Sequence, residues 1–577
     1  MNFKKKIAAL SAAFAVVSAL AIAVSVKSIE NSGKSTYRGS GEGRNGPIEV
    51  EIKVANNQIQ SARILKESES DFAKAAETQI IGQAIANKSL EKFDAVSGAT
   101  ITSDGTVAAL RDAWSKYLGA KQEQVSYSDT ECDIAIVGAG GAGMTAAIEA
   151  TKRGAKVILL EKMGVVGGNT SSATGGLNAS ETAIQKQLGI EDSNEQYYQD
   201  TMKGGREIND KSLVRTMVNN SADIVDWLIS LGADLTDVGK MAGSTNKRTH
   251  RHQGGAPVGT HLVKVLKQNL DSLGVDLRLN SKVTGVLNQD GKPAGVKVDY
   301  KGSTYQIKAK AVIIATGGFG ANPKMVVQQQ PKLEGFGTTN HKGATGDAFA
   351  WLEQFDAQTV DMEQIQTHPT VIPSNGFMIT EAVRGNGAIM INREGKRFGN
   401  EMATRDVMSK NVLDQSGKTA WLFFDQGVRE SLKAIEGYAK KGLLTEGKDV
   451  KEIAAALKIP EDALKTTLDE YNAAQKAGSG DAAFGRKANE MPRALDKPPY
   501  YAVEVAPAIH HTMGGLKIDA SARVLNKSGQ VIPGLFAAGE VTGGVHGANR
   551  LGGNAVADIE IFGKIAADSA CDFIARP

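Results

Sequence analysis

A glycine-rich turn between an apolar strand and a helix restricts the fold of this chain more than any other feature. Gly138, Gly140 and Gly143 form a G-x-G-x-x-G pattern after the apolar run 134–137, and an alanine-rich helix is predicted to follow. A second predicted strand, 156–160, ends at Glu161. In a βαβ unit the first glycine permits a tight turn, the second lets the backbone approach a pyrophosphate, the third allows close helix packing, and the acidic residue binds ribose hydroxyls. The pattern therefore predicts an α/β fold that binds a dinucleotide.

The bulk composition narrows the classes of function. With 577 residues the chain is long enough for several domains, and a formal net charge of +3 without a long basic run past the first few residues gives no support for nucleic-acid binding. Cys132 and Cys571 are the only cysteines, which excludes a disulfide framework, a zinc cluster and a C-x-x-C-H haem site. We expect no metal site, and a substrate that is recognised by local charge.

The first 26 residues are typical of an export signal. Three lysines at positions 4–6 precede an apolar stretch, 7–26, with small residues at Ala19, Ala21 and Ala23. This stretch is long for a signal peptide, so an uncleaved membrane anchor is the alternative. Both alternatives predict a periplasmic or otherwise exported protein.

A small α+β domain is predicted for residues 37–120. Alternating strands at 48–54 and 59–65 turn at positions 56–57, and helices follow near 73–86 and 106–117. Between the helices lies the string Asp94-Ala-Val-Ser-Gly-Ala-Thr100, with Thr102 and Ser103 just beyond it. Taken alone, Ser103 or Asp104 is interpreted as an ordinary helix cap.

The whole string resembles the covalent attachment motif of the FMN-binding domains found in sodium-pumping NADH:quinone reductases and in flavinylated reductases. The resemblance implies FMN esterified through its phosphate to Thr100, with Thr102 and Ser103 as rival attachment points. Small Gly98 and Ala99, and the helix start that follows, would let a phosphate approach backbone N–H groups. Covalent attachment also implies a flavin transferase as a partner of the exported chain.

Two further glycine-containing segments return to the dinucleotide-binding core. They are 312–318, which contains Gly317, and 534–540, which ends at Glu540. With the glycine-rich turn they resemble two-dinucleotide-type flavoproteins, which implies FAD rather than NAD. The segment 167–176 extends the resemblance, from about 132 to about 558, to the flavoprotein family of succinate dehydrogenase and fumarate reductase, and within it to the soluble flavocytochrome c type.

Asn169 bears on how the FAD is held. Alignment on Gly175 and Gly176 puts Asn169 where membrane-bound members of the family carry a flavin-linked histidine. The resemblance therefore implies non-covalent FAD. The residues expected to bind this cofactor are Gly138, Gly140, Gly143, Glu161, Asn169, Thr170, Gly175, Gly176, Gly317, Glu540 and Asn554.

An interruption of the flavin core gives the domain layout. The segment 363–491 carries amphipathic helices at 450–457 and 461–474 and resembles the clamp domain of the family. We predict a signal peptide or anchor at 1–26, an FMN-binding domain at 37–120, an FAD-binding domain in two parts at 131–362 and 492–577, and the clamp between those parts. The fold class is α/β: a two-dinucleotide-type Rossmann-like domain with an inserted α+β clamp and a small α+β FMN domain in front.

Motifs from both parts of the flavin core and from the clamp resemble the carboxylate-binding sites of the family. At one end His510, in His-His-Thr-Met-Gly-Gly, and Arg550, in Gly-Ala-Asn-Arg-Leu-Gly-Gly, are assigned to one carboxylate, since a planar guanidinium can hold a carboxylate through two hydrogen bonds. At the other end His368 and Thr380 are assigned to a second carboxylate. Met241 matches a family methionine that packs against the substrate, although methionine is usually core filler. Two such ends favour a small unsaturated dicarboxylate, fumarate first.

Arg405 is the proton donor that the resemblance implies. A guanidinium has a pKa above about 12, so it cannot rest deprotonated at neutral pH. Glu381 and Arg384 would pass a replacement proton as Arg405 gives its own to the substrate carbon. As a resting cation, Arg405 would also stabilise the negative charge that develops on the substrate.

The expectation is an exported reductase acting on CH–CH bonds, in which an FMN domain takes the place of the family's haem domain and FAD delivers a hydride to fumarate. An exported cytochrome or quinol dehydrogenase would supply the electrons. Three alternatives stay open. They are a reductase of another enoate such as urocanate or methacrylate, an enzyme that oxidises succinate, aspartate or a ketosteroid, and a flavin-loaded electron carrier without a substrate of its own.

Overall fold

The computed structural model describes residues 35–55, 58–87, 90, 93, 99–117, 126–241 and 243–575. The predicted export signal at 1–26, the turn at 56–57 and residues 94–98 of the FMN motif lie outside these ranges. The chain divides into two compact units, one ending at Glu123 and the other beginning at Gln124. No helix in the described ranges has both the length and the apolar character needed to cross a bilayer.

The N-terminal unit is a three-stranded antiparallel sheet with two helices. Its elements are β1 (Ser35–Glu42), β2 (Pro47–Ala55), β3 (Gln58–Lys66), α1 (Asp71–Asn87) and α2 (Thr100–Tyr117). The predicted hairpin is β2 with β3, and alternate residues of β2 from Ile48 to Val54 enter the core of the unit. Strand β1 was not predicted. It packs closely on α2 because Gly41 has no side chain: a Cβ there would lie 2.2 Å from the carbonyl oxygen of Gly105.

Helix α2 begins at Thr100 rather than near residue 106. The backbone N–H of Ser103 donates to the carbonyl oxygen of Ala99 at 2.8 Å, so Ser103 and Asp104 lie inside the helix. The prediction that either residue caps the helix is wrong. The first turn of the helix, 100–103, therefore precedes the face that packs on β1, which begins at Gly105.

The second unit contains the remaining elements. In chain order its strands are β4 (Thr130–Val137), β5 (Val157–Leu160), β6 (Leu177–Asn178), β7 (Asp237–Gly239), β8 (Thr249–Arg251), β9 (Asp276–Arg278), β10 (Ser281–Gln289), β11 (Lys292–Tyr300), β12 (Ser303–Ile314), β13 (Gly337–Thr338), β14 (Thr359–Val360), β15 (Ile365–Val371), β16 (Ile389–Ile391), β17 (Ala420–Asp425), β18 (Thr445–Gly447), β19 (Tyr500–Thr512), β20 (Gly515–Lys517), β21 (Arg523–Leu525), β22 (Val531–Ala537) and β23 (Thr542–Gly543). Its α-helices are α3 (Gly141–Lys152), α4 (Ala183–Gln187), α5 (Asn194–Gly204), α6 (Lys211–Asn219), α7 (Ser221–Ser230), α8 (Val258–Leu273), α9 (Pro323–Gln329), α10 (Asp347–Leu352), α11 (Ala382–Gly385), α12 (Arg405–Leu413), α13 (Gln426–Ser431), α14 (Ala434–Lys440), α15 (Val450–Leu457), α16 (Glu461–Ala477) and α17 (Asn554–Ile574).

An eight-stranded sheet forms the flavin core that the sequence predicts. Its parallel part runs in the order β22, β12, β4, β5, β9, and β11 and β10 extend it as antiparallel strands from β12. β4, α3 and β5 are the predicted βαβ unit, and the strand of the second glycine-containing segment ends at Ile314, before Gly317. Because β12 lies between β4 and β22 and is parallel to both, the carboxyl ends of the three strands that carry the glycine-rich segments meet at one edge of the sheet.

The inserted clamp has its own sheet and its own hydrophobic core. β16, β17, β18 and the first half of β19 pair with one another, and α15 and α16 lie where the sequence predicts amphipathic helices. The clamp core runs from Ile372 to Val505. It therefore extends past the predicted boundary at 491, because β19 is one continuous strand that begins in the clamp core and ends at Thr512 in the flavin core.

Candidate functional site

The glycine-rich turn joins β4 to α3. Gly138 has a φ of +104°, which L-residues rarely adopt, and a Cβ at Gly143 would lie 1.8 Å from the carbonyl oxygen of Gly138. A Cβ at Gly140, by contrast, would find only the carbonyl oxygen of Gly167 within 4 Å. The backbone at Gly140 is therefore open to a ligand, at the N-terminus of a helix whose N–H groups attract phosphate.

Glu161 follows β5 and is bonded to the same turn. Its carboxylate oxygens accept hydrogen bonds from the backbone N–H groups of Ala139 and Met163, both at 2.9 Å. Burial raises the pKa of Glu161. Each carboxylate oxygen keeps a second acceptor site, so the side chain can also accept from a ribose hydroxyl. The turn and this carboxylate together fit the pyrophosphate and ribose of FAD.

The loop that follows β5 and contains Asn169 and Thr170 is hydrogen-bonded to the glycine-rich turn and to Asn340 and Glu540. The hydroxyl oxygen of Thr170 accepts from the N–H of Gly141 at 3.1 Å. The amide nitrogen of Asn169 donates to Asn340 at 2.7 Å and to Glu540 at 3.0 Å. Asn169 and Glu540, assigned to the cofactor from separate motifs, are thus in direct contact, and no histidine stands at position 169.

The other residues assigned to the cofactor have varied surroundings. Gly317 has a φ of +73° with open space where a Cβ would stand, and Gly175 lies beside the methyl group of Met241. Gly176 packs against the backbone of β8. Asn554 is the first residue of α17, and its side chain is hydrogen-bonded to Asn178 and Thr201. Its amide is engaged within the protein, where it supports the loop that carries Arg550.

Arg405 is the first residue of α12 and only 10% of its side chain is exposed. Its Nε donates to Glu381 at 2.8 Å, and its Nη1 donates to the side-chain oxygen of Gln366 at 3.2 Å. Nη2 of Arg550 donates to the same oxygen of Gln366 at 3.0 Å. A single amide oxygen therefore joins the guanidinium groups of Arg405 and Arg550.

Glu381 and Arg384 lie behind Arg405. The Arg384 guanidinium is 3.8 Å from the Glu381 carboxylate and donates to the carbonyl oxygen of Glu401 at 2.5 Å. Burial lowers the pKa of Arg384. For Glu381, burial opposes ionisation, yet the positive charges of Arg405 and Arg384 hold its pKa below the usual value. The three side chains thus form a continuous chain of charged groups that ends at Arg405.

Arg550 is buried without an anionic neighbour in ion-pair contact among the described residues. Besides Gln366 it donates only to the carbonyl oxygen of Leu551, at 3.2 Å, and its Nε has no hydrogen-bond partner in the described part of the chain. Burial and the positive charge of Arg405 lower the pKa of Arg550 to about 9. A buried cation of this kind is stabilised when an anion binds beside it.

Two histidines assigned to opposite carboxylates lie close together. The rings of His368 and His510 are 5.1 Å apart between centroids, at an interplanar angle of 61°. Burial and the neighbouring arginines lower the pKa of both rings well below the usual value, so both are neutral at neutral pH. Nδ1 of His368 accepts from the N–H of Thr370 at 3.3 Å, which leaves the proton on Nε2. That Nε2 is buried and has no partner among the described residues, so it is a donor for a ligand.

Thr380 and Met241 complete the predicted set. Thr380 is buried, and its backbone N–H donates to the hydroxyl oxygen of Tyr438 at 3.1 Å. The methyl group of Met241 would lie 2.9 Å from a Cβ at Gly552, and Nη2 of Arg405 would lie 3.6 Å from it. Met241 therefore borders the same space as Arg405.

The site carries an excess of positive charge. Arg384 and Arg405 share one carboxylate, Glu381, and Arg550 contacts no carboxylate among the described residues, while the nearby Glu401 is paired with Arg397 at 2.7 Å and with Arg486 at 3.1 Å. With both histidines neutral, the guanidinium groups that contact Gln366 and Glu381 outnumber the carboxylates in contact with them, and Glu540 and Asp558 act on Arg550 without contacting it. This excess of positive charge in contact suits an anion. No group of three or more metal-ligating side chains occurs within the described ranges.

Gln366 and Tyr438 were not found from the sequence. Gln366 lies two residues before His368 on β15, so the two-residue period of a strand was an available signal for its position. Tyr438 belongs to the clamp helix α14, far from Thr380 in sequence, and no local pattern marks it. Burial raises its pKa to about 12, so its hydroxyl stays protonated.

In the N-terminal unit the rival attachment residues are enclosed. The hydroxyl of Thr102 donates to Glu69 at 2.7 Å, and Thr102 and Ser103 are 2% and 1% exposed. Thr100 is the first residue of α2, and Ala99 separates it from the undescribed residues 94–98 of the motif. Neither of the two rivals offers a hydroxyl to an enzyme acting from outside.

Two family models match the chain. Residues 133–556 match a family described as FAD binding domain, and residues 43–115 match one described as FMN-binding domain. The two matches coincide with the second unit and with the N-terminal unit, respectively. They support FAD as the cofactor of the glycine-rich edge and FMN as the cofactor of the N-terminal unit.

Known proteins similar to this chain share its second unit or both units. A fumarate reductase (cytochrome) of Shewanella frigidimarina is 50% identical over 444 residues, which cover 76% of this chain and 77% of that protein. An NADH:fumarate oxidoreductase of Klebsiella pneumoniae is 39% identical over 525 residues, covering 90% of this chain and 56% of that protein. Proteins named as reductases of urocanate and of acrylate are also similar. Among solved structures, an open conformation of a flavocytochrome c3 fumarate reductase has a TM-score of 0.69 and 41% identity, and the match covers 81% of each chain.

Proposed function

We propose that this chain, which belongs to the fumarate reductase family of FAD-dependent oxidoreductases and carries an FMN-binding domain at its N-terminus, reduces fumarate to succinate. The class of reaction, oxidation or reduction at a CH–CH bond, is common to its relatives. The choice of fumarate depends on the site itself. The observation that carries it is the excess of buried positive charge around Arg405 and Arg550.

A dicarboxylate compensates this charge at both of its ends. One carboxylate would be held by Arg550 and His510, and the other by His368 and Thr380, with Met241 along the carbon chain. The neutral Nε2–H of His368 and the unpaired Nε–H of Arg550 are donors without a protein partner in the described residues. A monocarboxylate would leave one set of donors unpaired in a buried site, which is costly.

Proton delivery is the task of Arg405 in this proposal. When bound without a covalent link and reduced, FAD would supply a hydride, that is two electrons with one proton, to one carbon of the double bond. Arg405 gives a proton to the other carbon, and the N–H bond that breaks is restored through Glu381 and Arg384. A relay through Glu381 is supported by its 2.8 Å hydrogen bond from Arg405 and its 3.8 Å ion pair with Arg384. The carboxylate lies between two guanidinium groups and can accept from one while it donates to the other.

We place the covalent FMN on Thr100, through a phosphoester. This choice is supported by the burial of Thr102 and Ser103 and by the hydrogen bond from Thr102 to Glu69. FMN, when attached, would carry single electrons from the donor to FAD. Its attachment requires a flavin transferase, and its reduction requires an exported donor such as a cytochrome or a quinol dehydrogenase. Export itself is proposed from the lysine and apolar pattern of residues 1–26.

The test is a panel of unsaturated acids. The full chain, loaded with both flavins and chemically reduced without oxygen, is mixed with fumarate, urocanate, methacrylate or acrylate, and flavin reoxidation is followed by absorbance. We expect fumarate to reoxidise the flavin fastest, with succinate as the product by NMR. Faster reoxidation by a monocarboxylate would contradict the dicarboxylate assignment, and a flavin that stays reduced with all four acids would identify an electron carrier.

A further inference from the structure

The segment 204–210, which we call the strap, connects α5 to α6 and runs along the loop that carries Arg550. The carbonyl oxygen of Gly205 accepts from the N–H of Ala548 at 2.9 Å, and the N–H of Asp210 donates to the carbonyl oxygen of Gly544 at 2.7 Å. Between them the side chain of Asn209 donates to the carbonyl oxygen of Val545 at 2.9 Å. The strap and the loop 544–550 are therefore joined along their length.

Their approach is close enough to require glycine. A Cβ at Gly547 would lie 2.4 Å from the carbonyl oxygen of Gly205, and a Cβ at Gly205 would lie 2.1 Å from the side chain of Asn209. A change in the position of the strap therefore changes the position of the loop, and with it the backbone of Arg550.

Two residues in the middle of the strap have a strained backbone. Arg206 has a φ of +58° and Glu207 a φ of +62°, and neither is a glycine. Successive left-handed residues with side chains are unfavourable unless the surrounding contacts impose them. The strap's hydrogen bonds to 544–548 provide such contacts, so the backbone from which the Arg206 side chain extends is held in place.

The Arg206 side chain reaches the other domain. Its Nη2 forms an ion pair with Asp406, the second residue of α12 and the neighbour of Arg405. Residues of α12 such as Met408 and Val412 belong to the clamp core, whereas Met202 and Leu213, on either side of the strap, belong to the core of the flavin domain. The ion pair therefore connects the flavin domain with the clamp, which have separate hydrophobic cores. Arg405 lies on the clamp side of the site and Arg550 on the flavin-domain side.

We propose that the Arg206–Asp406 ion pair is an interdomain latch that holds the clamp closed over the site. Arg206 is a positioning residue: it acts on the reaction through α12, which carries Arg405, and through the strap, which carries the Arg550 loop. The part of this inference that concerns the substrate rests on the proposed function, but the latch itself does not. No residue of the strap was assigned a role by the sequence.

The latch is weak on its own and sensitive to salt. The side chains of Arg206 and Asp406 are 62% and 31% exposed, and exposed ion pairs contribute little free energy. Because the backbone of Arg206 is already fixed by the strap, less conformational entropy is lost when its side chain pairs with Asp406. The pair therefore keeps a small stabilising effect on the contact between the two domains. At about 1 M salt the screening length falls to about 3 Å, and the contribution of the pair should be largely lost.

The first experiment measures closure without turnover. Cys132 and Cys571 are both buried, so spin labels can be placed selectively on Ser230→Cys in α7 and Glu470→Cys in α16, two exposed positions on the two domains. The interdomain distance distribution is measured for the labelled full chain and for the same chain with Arg206→Gln. We expect Arg206→Gln to shift the population toward longer distances, Arg206→Lys to restore most of the original population, and 1 M salt to shift only the chains that retain the ion pair.

The second experiment separates positioning from folding. Arg206→Gln should raise the KM for fumarate about two- to fivefold and leave kcat within twofold, because saturating substrate closes the clamp again. The control is Arg215→Gln, which removes the exposed ion pair of Arg215 with Glu195, 2.6 Å apart, within the flavin domain. Equal distance distributions for the original chain and Arg206→Gln, or an equal shift in Arg215→Gln, would overturn the latch. If the chain reduces no fumarate but the distances shift as expected, the proposed function fails and the latch stands.

Discussion

The interior of the N-terminal unit and the candidate site of the second unit differ in the charged groups that they bury. The N-terminal unit encloses carboxylates: Glu51, Glu69 and Glu77 are at most 6% exposed. The site of the second unit encloses guanidinium groups, with Arg384 and Arg550 at 1% and 6% exposure beside two neutral histidines.

The two units also differ in how they accommodate the buried charge. In the N-terminal unit, burial together with the negative charges of Glu67 and Glu69 raises the pKa of Glu77 to about 7, so this carboxyl becomes neutral easily. In the second unit, Glu381 is held ionised between arginines, and Arg550 has no carboxylate in contact among the described residues. Under the proposed function, an anionic substrate would compensate the positive charge of Arg550 in the second unit.

The largest expected effect tests the cationic site at its proton donor. Arg405→Lys should lower the rate of fumarate reduction about 10³- to 10⁴-fold, because a lysine cannot contact Glu381 and Gln366 with two nitrogens at once. FAD should stay bound, since the glycine-rich edge is untouched. Steady-state rates with a chemical reductant, with FAD content from absorbance as the control, measure this. A near-normal rate would remove Arg405 from the mechanism.

The next effect concerns the uncompensated cation. Arg550→Gln should lower kcat/KM for fumarate about 10²- to 10³-fold. This is the change expected when a buried charged contact worth about 3–4 kcal/mol is lost. In the unsubstituted chain Arg550 is charged below its pKa of about 9, and a dicarboxylate binds the charged form. The KM should therefore rise above pH 9, by about tenfold for each pH unit. A KM that stays flat to pH 10.5 would contradict this.

A third substitution tests whether the two units are chemically separable. Thr100→Ala should yield a full-length chain without covalent FMN by mass spectrometry. Fumarate reduction driven by a small chemical reductant should stay within about twofold, because the second unit keeps its own site. Matched chains with Thr102→Ala or Ser103→Ala should keep their FMN. FMN retained in Thr100→Ala and lost in one of these two would move the attachment point.

The smallest effect concerns the acidic interior. Folding raises the pKa of Glu77, so the folded unit binds the proton of this carboxyl more tightly than the unfolded chain does. The stability that this proton contributes is fully present below about pH 4.5 and is lost as the pH rises through about 7. Glu77→Gln removes this dependence, so it should stabilise the N-terminal unit by about 1 kcal/mol at pH 8 and change little at pH 5. Hydrogen exchange of α2 amides, corrected for intrinsic rates, measures it. Destabilisation at pH 8 would show that the carboxylate is needed in its charged form.

Much of the fold follows from local sequence. Gly138 and Gly143 are required by backbone geometry within a few residues, so the βαβ unit and the dinucleotide edge could be predicted from spacing alone. The close packing of α2 on β1 could not, because Gly39 and Gly41 meet residues 105–113 of the helix from far away in the sequence.

The site was predictable where a motif carries the chemistry. Arg405 and Glu381 stand in separate motifs, and the structure brings them into direct contact at 2.8 Å. Gln366 joins two of these motifs through one oxygen, and Arg206 acts through a strained loop. Neither has a distinctive neighbourhood in sequence, because a residue that bridges two elements is defined by their arrangement in space.

Strand β19 has a mechanical consequence. Its 13 residues begin at Tyr500 in the clamp core and end at Thr512, one residue past His511, in the flavin core. A β-strand of this length is a stiff rod of about 40 Å. His510 is therefore on the same strand as residues of the clamp core. A substitution at Val503 or Val505 can shift the position of His510, and so change substrate binding, without contacting the substrate.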